Sequence, residues 1–412
     1  MIVQNSNFET TAQFSSDTLQ PSAALLGHNS SRAALSFYEF FAGGGLARAG
    51  LGDGWSCHLA HESDDKKAAS YAANFGSTEL QSGEIAEISV DELESAVDLV
   101  WASLPYHAGG HDALGDAGWS FLEKLQQLCE SDRAPRLIAL ENVPGILTAH
   151  GGRDFAHLCA ALAELGYIFG AVVLDAEAWV PQSRARLFMI ALRKDCPMPS
   201  GLMRHTPPET WLHHNGVEKA YAALPDQLKS SWVWWNLPTP LAREIALVDI
   251  IEADPISVPW HRDAETEALL GAMNEVNLAK VHAAQAAGGI QVGALYKRTR
   301  VEGEEKFVRA EVRFDGVAGC LRPPKGGSSR QTLIIVENGR VRSRLLSPRE
   351  AARLMGLPET YHLPARNNDA YWICGEGVAV PAVRYLAEHL FEPLARAARD
   401  EMAEFQPNAL SN

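Results

Sequence analysis

Cysteine is scarce. Six occur in 412 residues, at 57, 129, 159, 196, 320 and 374, and no two stand at a metal-binding spacing. Scattered thiols of this kind suit a reducing compartment, so a cytoplasmic protein with free cysteines is expected. The fourteen histidines include no His-Glu-x-x-His pattern, and no metal site is expected. No apolar run approaches the roughly 20 residues that a membrane-crossing helix needs, so no membrane partner is expected. The first thirty residues lack the apolar core of a secretory signal. Positive charge is also short: 36 Lys and Arg stand against 51 Asp and Glu, a net charge of −15. Such a body does not by itself attract phosphate.

The deficit is uneven. Between Val292 and Arg349 there are 13 Lys/Arg and 6 Asp/Glu. A basic module on an acidic body can bind DNA through that module alone, although a solvated basic surface would have the same composition. The texture of the chain changes at about the same place. Up to Lys194, strand-like runs alternate with helical spacing: strands at Leu35–Phe41, Trp55–His61, Asp98–Ala102, Arg136–Leu140, Ala171–Asp175 and Leu187–Leu192, and helices at Asp64–Phe75, Val90–Ala96, Trp119–Cys129 and Asp154–Leu165. This alternation predicts an α/β fold, a doubly wound, mostly parallel Rossmann-like sheet. Residues 195–345 are rich in Pro, Trp and Gly, with one clear helix at Asp263–Ala287, and read as a smaller inserted domain. Trp232, Trp234 and Trp235 suit core packing. Ser347-Pro348-Arg349-Glu350 is a helix start with its own N-cap. Ala379–Arg396 predicts a long helix interrupted at Pro393. The expected divisions are a flexible tail at 1–34, a cofactor-binding catalytic domain at 35–195, a recognition domain at 196–345, and a return to the catalytic domain at 346–400.

Three features describe an adenosyl site. Phe41-Ala42-Gly43-Gly44-Gly45 joins a strand to a helix, where glycines let backbone approach a ligand. Glu62 ends the next strand, where a carboxylate can accept both ribose hydroxyls. Glu84 follows the third strand, within reach of an adenine amino group. Residue chemistry alone leaves NAD and S-adenosylmethionine both open, and the glycines could equally permit tight packing. At the fourth strand end, Ser103-Leu104-Pro105-Tyr106 forms a stiff turn bearing an aromatic face and a hydroxyl. Gly326-Gly-Ser-Ser-Arg-Gln331 combines a turn with groups suited to phosphates and base edges.

In order, these pieces resemble the DNA cytosine-5 methyltransferase family from about Leu35 to Leu394. The glycine turn resembles its first motif. Gly83-Glu84-Ile85 is similar to its adenine-binding Gly-Asp-Ile, Glu141-Asn142-Val143 to its Glu-Asn-Val, and Gln182-Ser-Arg-Ala-Arg186 to its Gln-x-Arg-x-Arg. Arg349–Pro358 and Gly375–Pro381 resemble the ninth and tenth motifs. The resemblance implies a methyltransferase sheet with an inserted target-recognition domain. It implies S-adenosyl-L-methionine as cofactor, leaving S-adenosyl-L-homocysteine, and double-stranded DNA as partner; a cognate restriction endonuclease would be a second partner in a restriction-modification system. Phe41, Gly43, Gly45, Glu62, Glu84, Glu376 and Val378 would hold the cofactor. Glu141 would grip the Watson–Crick edge of a flipped cytosine, with Arg186 on its O2 or a phosphate. Arg298 and Arg300 would meet phosphates, and Arg330 and Gln331 base edges.

One departure dominates. Where the family has Pro-Cys-Gln, whose thiolate attacks C6 of cytosine, this chain has Pro105-Tyr106-His107. A tyrosine hydroxyl with a pKa near 10 is a poor substitute nucleophile. Ser103-Leu104-Pro105-Tyr106 instead resembles the Ser-Pro-Pro-Tyr of enzymes that methylate exocyclic amino groups of DNA. This implies catalysis by Ser103, Pro105, Tyr106, Glu141 and Arg186, with N4 of cytosine preferred to N6 of adenine. A non-catalytic DNA or partner binder is the alternative. Smaller departures are Leu46 for the last glycine of the first motif, Glu84 for Asp, and Glu376 for Asn in the tenth. His107 and His111 read as loop residues.

Overall fold

Asp98 anchors the sheet from below. Its buried carboxylate takes Arg136 Nη1 at 2.8 Å, Arg399 Nε at 3.0 Å and the Ser36 amide at 2.8 Å. These contacts tie the feet of three adjacent strands to the last helix. The computed structural model describes residues 33–93, 96–106, 113–207, 215–302, 305–324 and 330–404. The expected tail therefore lies almost wholly outside the described residues, as do His107, His111 and Gly326–Ser329.

The main sheet has seven strands: β1 Leu35–Phe40, β2 Trp55–Glu62, β3 Leu80–Ser82, β4 Leu99–Ser103, β5 Leu137–Asn142, β6 Tyr167–Asp175 and β7 Ala185–Arg193. Their order is β3-β2-β1-β4-β5-β7-β6. All neighbours are parallel except β7, which runs antiparallel between β5 and β6. The β6–β7 connection is too short for a crossover helix, so β7 returns as a hairpin partner. Helices α1 Leu46–Leu51, α2 Asp65–Phe75, α3 Gly115–Glu130 and α4 Arg153–Glu164 connect the parallel strands. β1 and β4 are buried at all but one residue each, the pattern of a central parallel strand. Of the expected helix at Val90–Ala96, the described residues form a 3₁₀ turn at Val90–Glu92, and residues 94–95 lie outside the described residues.

Helix α5 Asn215–Ala223 and the short helices α6 Asp226–Lys229 and α7 Leu247–Ile250 follow, with the small pair β8 Met203–Arg204 and β9 Trp234–Trp235. Trp232, Trp234 and Trp235 are buried against β6 and α4, as packing residues. The expected helix at Asp263–Ala287 is two helices, α8 Asp263–Gly271 and α9 Glu275–Ala287. Asn274 breaks them, because its side chain accepts the Asn277 amide as an N-cap. A second, antiparallel sheet follows, of β10 Ile290–Glu302, β11 Glu305–Arg313, β12 Thr332–Glu337 and β13 Arg340–Leu345, in the order β11-β10-β12-β13.

The chain then forms α10 Pro348–Leu354, α11 Asn367–Glu376, α12 Val380–Leu386 and α13 Glu392–Glu404. The interruption expected at Pro393 is a π-helical turn at Ala387–Phe391, just before that proline. Proline lacks the amide that would continue an α-ladder and clashes with the carbonyl four residues back, so the widened turn absorbs it.

Candidate active site

The sheet reverses its winding between β1 and β4, and the carboxyl ends of these strands open a crevice there. On the β1 side the chain leaves the strand through three positive-φ residues, Phe41 at 57°, Gly43 at 58° and Gly45 at 79°. Phe41 is strained for a side-chain residue. Its ring is half-buried and lies edge-on to His61, at 5.9 Å and 83°. The glycines differ in purpose. A Cβ on Gly44 would meet the Tyr361 hydroxyl at 2.5 Å, and one on Gly45 would meet Phe75 at 2.4 Å, so both are packing requirements. A Cβ on Gly43 would meet nothing within 4 Å. Gly43 therefore borders open space, whereas Gly45 faces protein.

Glu62 is pinned at the end of β2. One carboxylate oxygen accepts the Gly43 amide at 2.7 Å and the other the Asp64 amide at 2.9 Å. A carboxylate has about four acceptor positions, so two remain for a diol. Glu84 is exposed just before the 3₁₀ turn at Ile85–Glu87. His61 Nε2 holds the neighbouring Gly83 carbonyl at 2.9 Å. Glu376 ends α11 in an ion pair with Lys67 of α2 at 2.7 Å, and Val378 is packed in the core. A half-buried aromatic face, a positive-φ glycine beside open space and an oriented carboxylate fit an adenosyl cofactor.

The other side of the crevice is built on the β4–β5 register, which sets Ser103 beside Glu141. Ser103 Oγ accepts Trp101 Nε1 at 3.1 Å, and the serine hydroxyl also bonds the Glu141 carboxyl. Arg186 Nε lies 3.0 Å from Glu141 Oε1; the glutamate is buried and the arginine half-buried. Burial raises the pKa of the Glu141 carboxyl, against the opposing charges of Arg186 and Arg184 and the hydrogen bonds from Arg186 and Ser103. Tyr106 is half-buried against the α3–α4 side of the core. A Cβ on Gly145 would sit 3.2 Å from its hydroxyl. Ser103, Tyr106, Glu141 and Arg186 are therefore brought to one end of the sheet.

The residues expected to meet DNA lie on or beside the second sheet. Arg298 is 57% exposed on β10 and pairs with Glu311 at 3.0 Å. Arg300 lies on the same strand, with its side chain outside the described residues. Arg330 is exposed. Gln331 is engaged otherwise: its amide donates to the Leu295 and Thr332 carbonyls at 2.9 and 3.0 Å, stitching β10 to β12.

Sequence reasoning missed the work of Gln182 and Arg184. Gln182 is fully buried; its Nε2 donates to the Leu354 carbonyl at 2.7 Å and its Oε1 accepts the Leu321 amide at 3.0 Å. Arg184 is 1% exposed and bridges Leu321 to the turn at Gly375–Gly377. The signal available was their spacing of two with Arg186, which puts all three on one face of an extended segment.

Comparison with known proteins identifies the family and the fold. The family model described as C-5 cytosine-specific DNA methylase matches residues 35–392. The Type II methyltransferase M.DsaV of Dactylococcopsis salina is 24% identical over 363 residues, covering 86% of each chain. The Type II methyltransferase M.HhaI of Haemophilus parahaemolyticus is 23% identical over 362 residues, covering 86% of this chain and 94% of that one. Among solved structures, the S. pombe Dnmt2 methyltransferase superposes with a TM-score of 0.56 at 15% identity, covering 87% of this chain and 99% of its own.

Proposed function

Because the chain belongs to the C-5 cytosine-specific DNA methylase family, we propose that it is a DNA methyltransferase whose target atom has moved from C5 of cytosine to the exocyclic N4. S-adenosylmethionine-dependent DNA methylation is the activity of this family. The observation that carries the finer reading is a combination. Glu141 and Arg186, which would hold the base, are in contact at 3.0 Å, while the turn at Pro105 offers Tyr106 in place of a thiol. Buried cysteines do not replace it: burial pushes the Cys57 and Cys374 thiols up to about 12, far from the thiolate that nucleophilic attack needs.

S-adenosylmethionine, when bound, supplies an electrophilic methyl group. Glu62 would hold its ribose, Phe41 would pack against it, and Glu84 would reach its adenine. Glu141 and Arg186 would hold the Watson–Crick edge of an extruded cytosine, the extrusion costing a few kcal/mol. Ser103 Oγ has one lone pair beyond its bond from Trp101. That lone pair and the Pro105 carbonyl would accept the two amino hydrogens, concentrating electron density on nitrogen. Tyr106 would stack on the base, a contact worth about 1–3 kcal/mol. Placement and fixed acceptors, with no protein nucleophile, would then account for the rate. Residues 196–345 would select the site on duplex DNA, with Arg298 and Arg300 on phosphates and Arg330 turned to bases, while Gln331 stays in its structural role between β10 and β12.

A second reading, binding without turnover, is favoured by one observation. The Ser103 hydroxyl is already engaged with both Trp101 and Glu141. The two readings separate in one experiment. Sheared genomic DNA from a strain lacking the gene is incubated with tritiated S-adenosylmethionine, digested to nucleosides and chromatographed. N4-methylcytosine, lost on Tyr106→Ala and reduced on Ser103→Ala, supports the first reading. No methylated nucleoside alongside measurable cofactor affinity supports the second. 5-Methylcytosine overturns both.

A further inference from the structure

The segment that leads from β11 into β12 is tied to the cofactor side of the molecule by Arg184, beside the Gln182 contact already described. Arg184 Nη1 donates to the Leu321 carbonyl at 3.0 Å and lies 3.3 Å from Cys320 Sγ, and Nη2 donates to the Gly375 and Gly377 carbonyls at 3.0 and 2.5 Å. Its Nε, also buried, has no hydrogen-bond partner, so the guanidinium is gripped from one edge only. The two backbone segments it joins are also in direct contact. A Cβ on Gly375 would lie 2.5 Å from the Pro323 nitrogen. On one side, Ala318 is locked to the Arg184 strand by the Ser183 amide at 2.9 Å and by its own amide to the Pro181 carbonyl at 2.8 Å. On the other, Glu376 sits between the two gripped glycines and pairs with Lys67. Lys67 stands in the first turn of α2, whose N-cap Asp64 supplies an amide to Glu62.

We propose that Arg184 is a positioning residue that couples DNA engagement by the second sheet to cofactor affinity at the Glu62 crevice. The geometry makes the link specific. The 318–323 segment cannot shift without moving either the guanidinium or the Gly375 backbone. The Gly375–Gly377 turn in turn sets Glu376, Lys67 and the start of α2. A displacement at one end therefore carries a cost at the other, and that cost is a coupling free energy shared by both ligands. Four hydrogen bonds from one planar fork make Arg, and not Lys, the residue for the task, since an ammonium has three mobile donors and no fork. This inference rests on the cofactor and DNA binding proposed above, but not on which atom is methylated.

The test is calorimetric, and methylation plays no part in it. Affinity for S-adenosylhomocysteine is measured on the full chain, with and without saturating sheared genomic duplex. DNA is expected to change the wild-type affinity at least fivefold, within the usual range for linked sites. Arg184→Met is expected to reduce that factor to below two, and Arg184→Lys to restore part of it. Gly375→Ala, which pries the two segments apart with the guanidinium intact, is expected to lower it as well. Thermal melts followed by circular dichroism establish that each variant folds. If Arg184→Met does not fold, Arg184→Lys and Gly375→Ala decide the matter. A wild-type factor near one, or an unchanged factor in the folded variants, overturns the coupling and leaves the proposed function standing. A wild type that binds neither ligand overturns both.

Discussion

Two arginine–glutamate pairs, each with a buried carboxylate, sit at opposite ends of the molecule's logic. Arg344 and Glu350, both fully buried, meet in a two-pronged contact of 2.6 and 2.8 Å where β13 runs into α10. Glu350 also accepts the Ser347 amide and the Glu252 amide, each at 2.6 Å. That makes four bonds for about four acceptor positions, so the carboxylate is saturated. Glu141 and Arg186 touch through one contact at 3.0 Å. Among the described residues, Glu141 takes only Arg186 and Ser103. A saturated pair has nothing left to offer a ligand, whereas an unsaturated one has unused acceptor capacity already desolvated. The difference separates a structural joint from the pair proposed to hold a base more sharply than burial of the carboxylates does, since both glutamates are buried.

The largest effect expected from breaking this contrast is on the joint. Arg344→Ala strands a fully desolvated carboxylate and should cost about 3–5 kcal/mol, read as a fall in the urea midpoint with the slope unchanged. Replacing both partners with apolar residues, Arg344→Met with Glu350→Leu, should recover much of it, because the burial cost of both charges is removed together. Recovery of nothing would mean that the helix cap at Ser347 is the dominant loss.

The same change at the site should divide differently. Glu141→Gln removes a carboxyl that burial already disfavours as an anion, so the urea midpoint should hold or rise slightly. Methyl transfer should fall on the order of 10²–10³-fold, the usual cost of one fixed polar group at a reacting centre. A fall in stability matching that of Arg344→Ala would erase the distinction drawn between the two pairs.

How much of this was legible beforehand follows from where each partner lies. The crevice was readable because its parts are local. Gly43 is two residues beyond Phe41, Glu62 ends the next strand, and strand–helix alternation fixes which strand ends face it. The split of the 263–287 helix was also in the letters, since Asn274 is an N-cap residue. The roles of Gln182 and Arg184 were not, and that of Arg186 came only from the family resemblance. Spacing puts them on one face, but their partners are at 354, at 321 and 375, and at 141. Only tertiary contact decides which of the three faces Glu141. The reversal of β7 escaped for a related reason, because strand direction depends on the length of a connection and on which edge it returns to. Gln331 had the right chemistry for a base edge, yet two carbonyls across β10 and β12 hold its amide.

A third carboxylate extends the series to its poorest member and gives the smallest expected effect. Glu39, on β1, is buried, and its Oε2 has no hydrogen-bond partner. Burial pushes its pKa from 4.5 up to about 8, against the pull of the Arg48 charge and backbone N–H and with a further push from Glu62. The folded state therefore keeps its proton over a range in which the unfolded chain releases it. Stability from this group is full below about 4.5 and is lost as pH rises towards 8. At about 1.4 kcal/mol per pH unit, the loss between pH 5.5 and 7 should be on the order of 2 kcal/mol. Glu39→Gln should flatten that slope in urea titrations at the two pH values, and should leave the low-pH stability nearly unchanged. An identical slope in the variant would mean that another group, and not this half-partnered carboxyl beside the cofactor crevice, sets the pH response. The order Glu350, Glu141, Glu39 would then measure hydrogen-bond saturation alone and say nothing about ionisation.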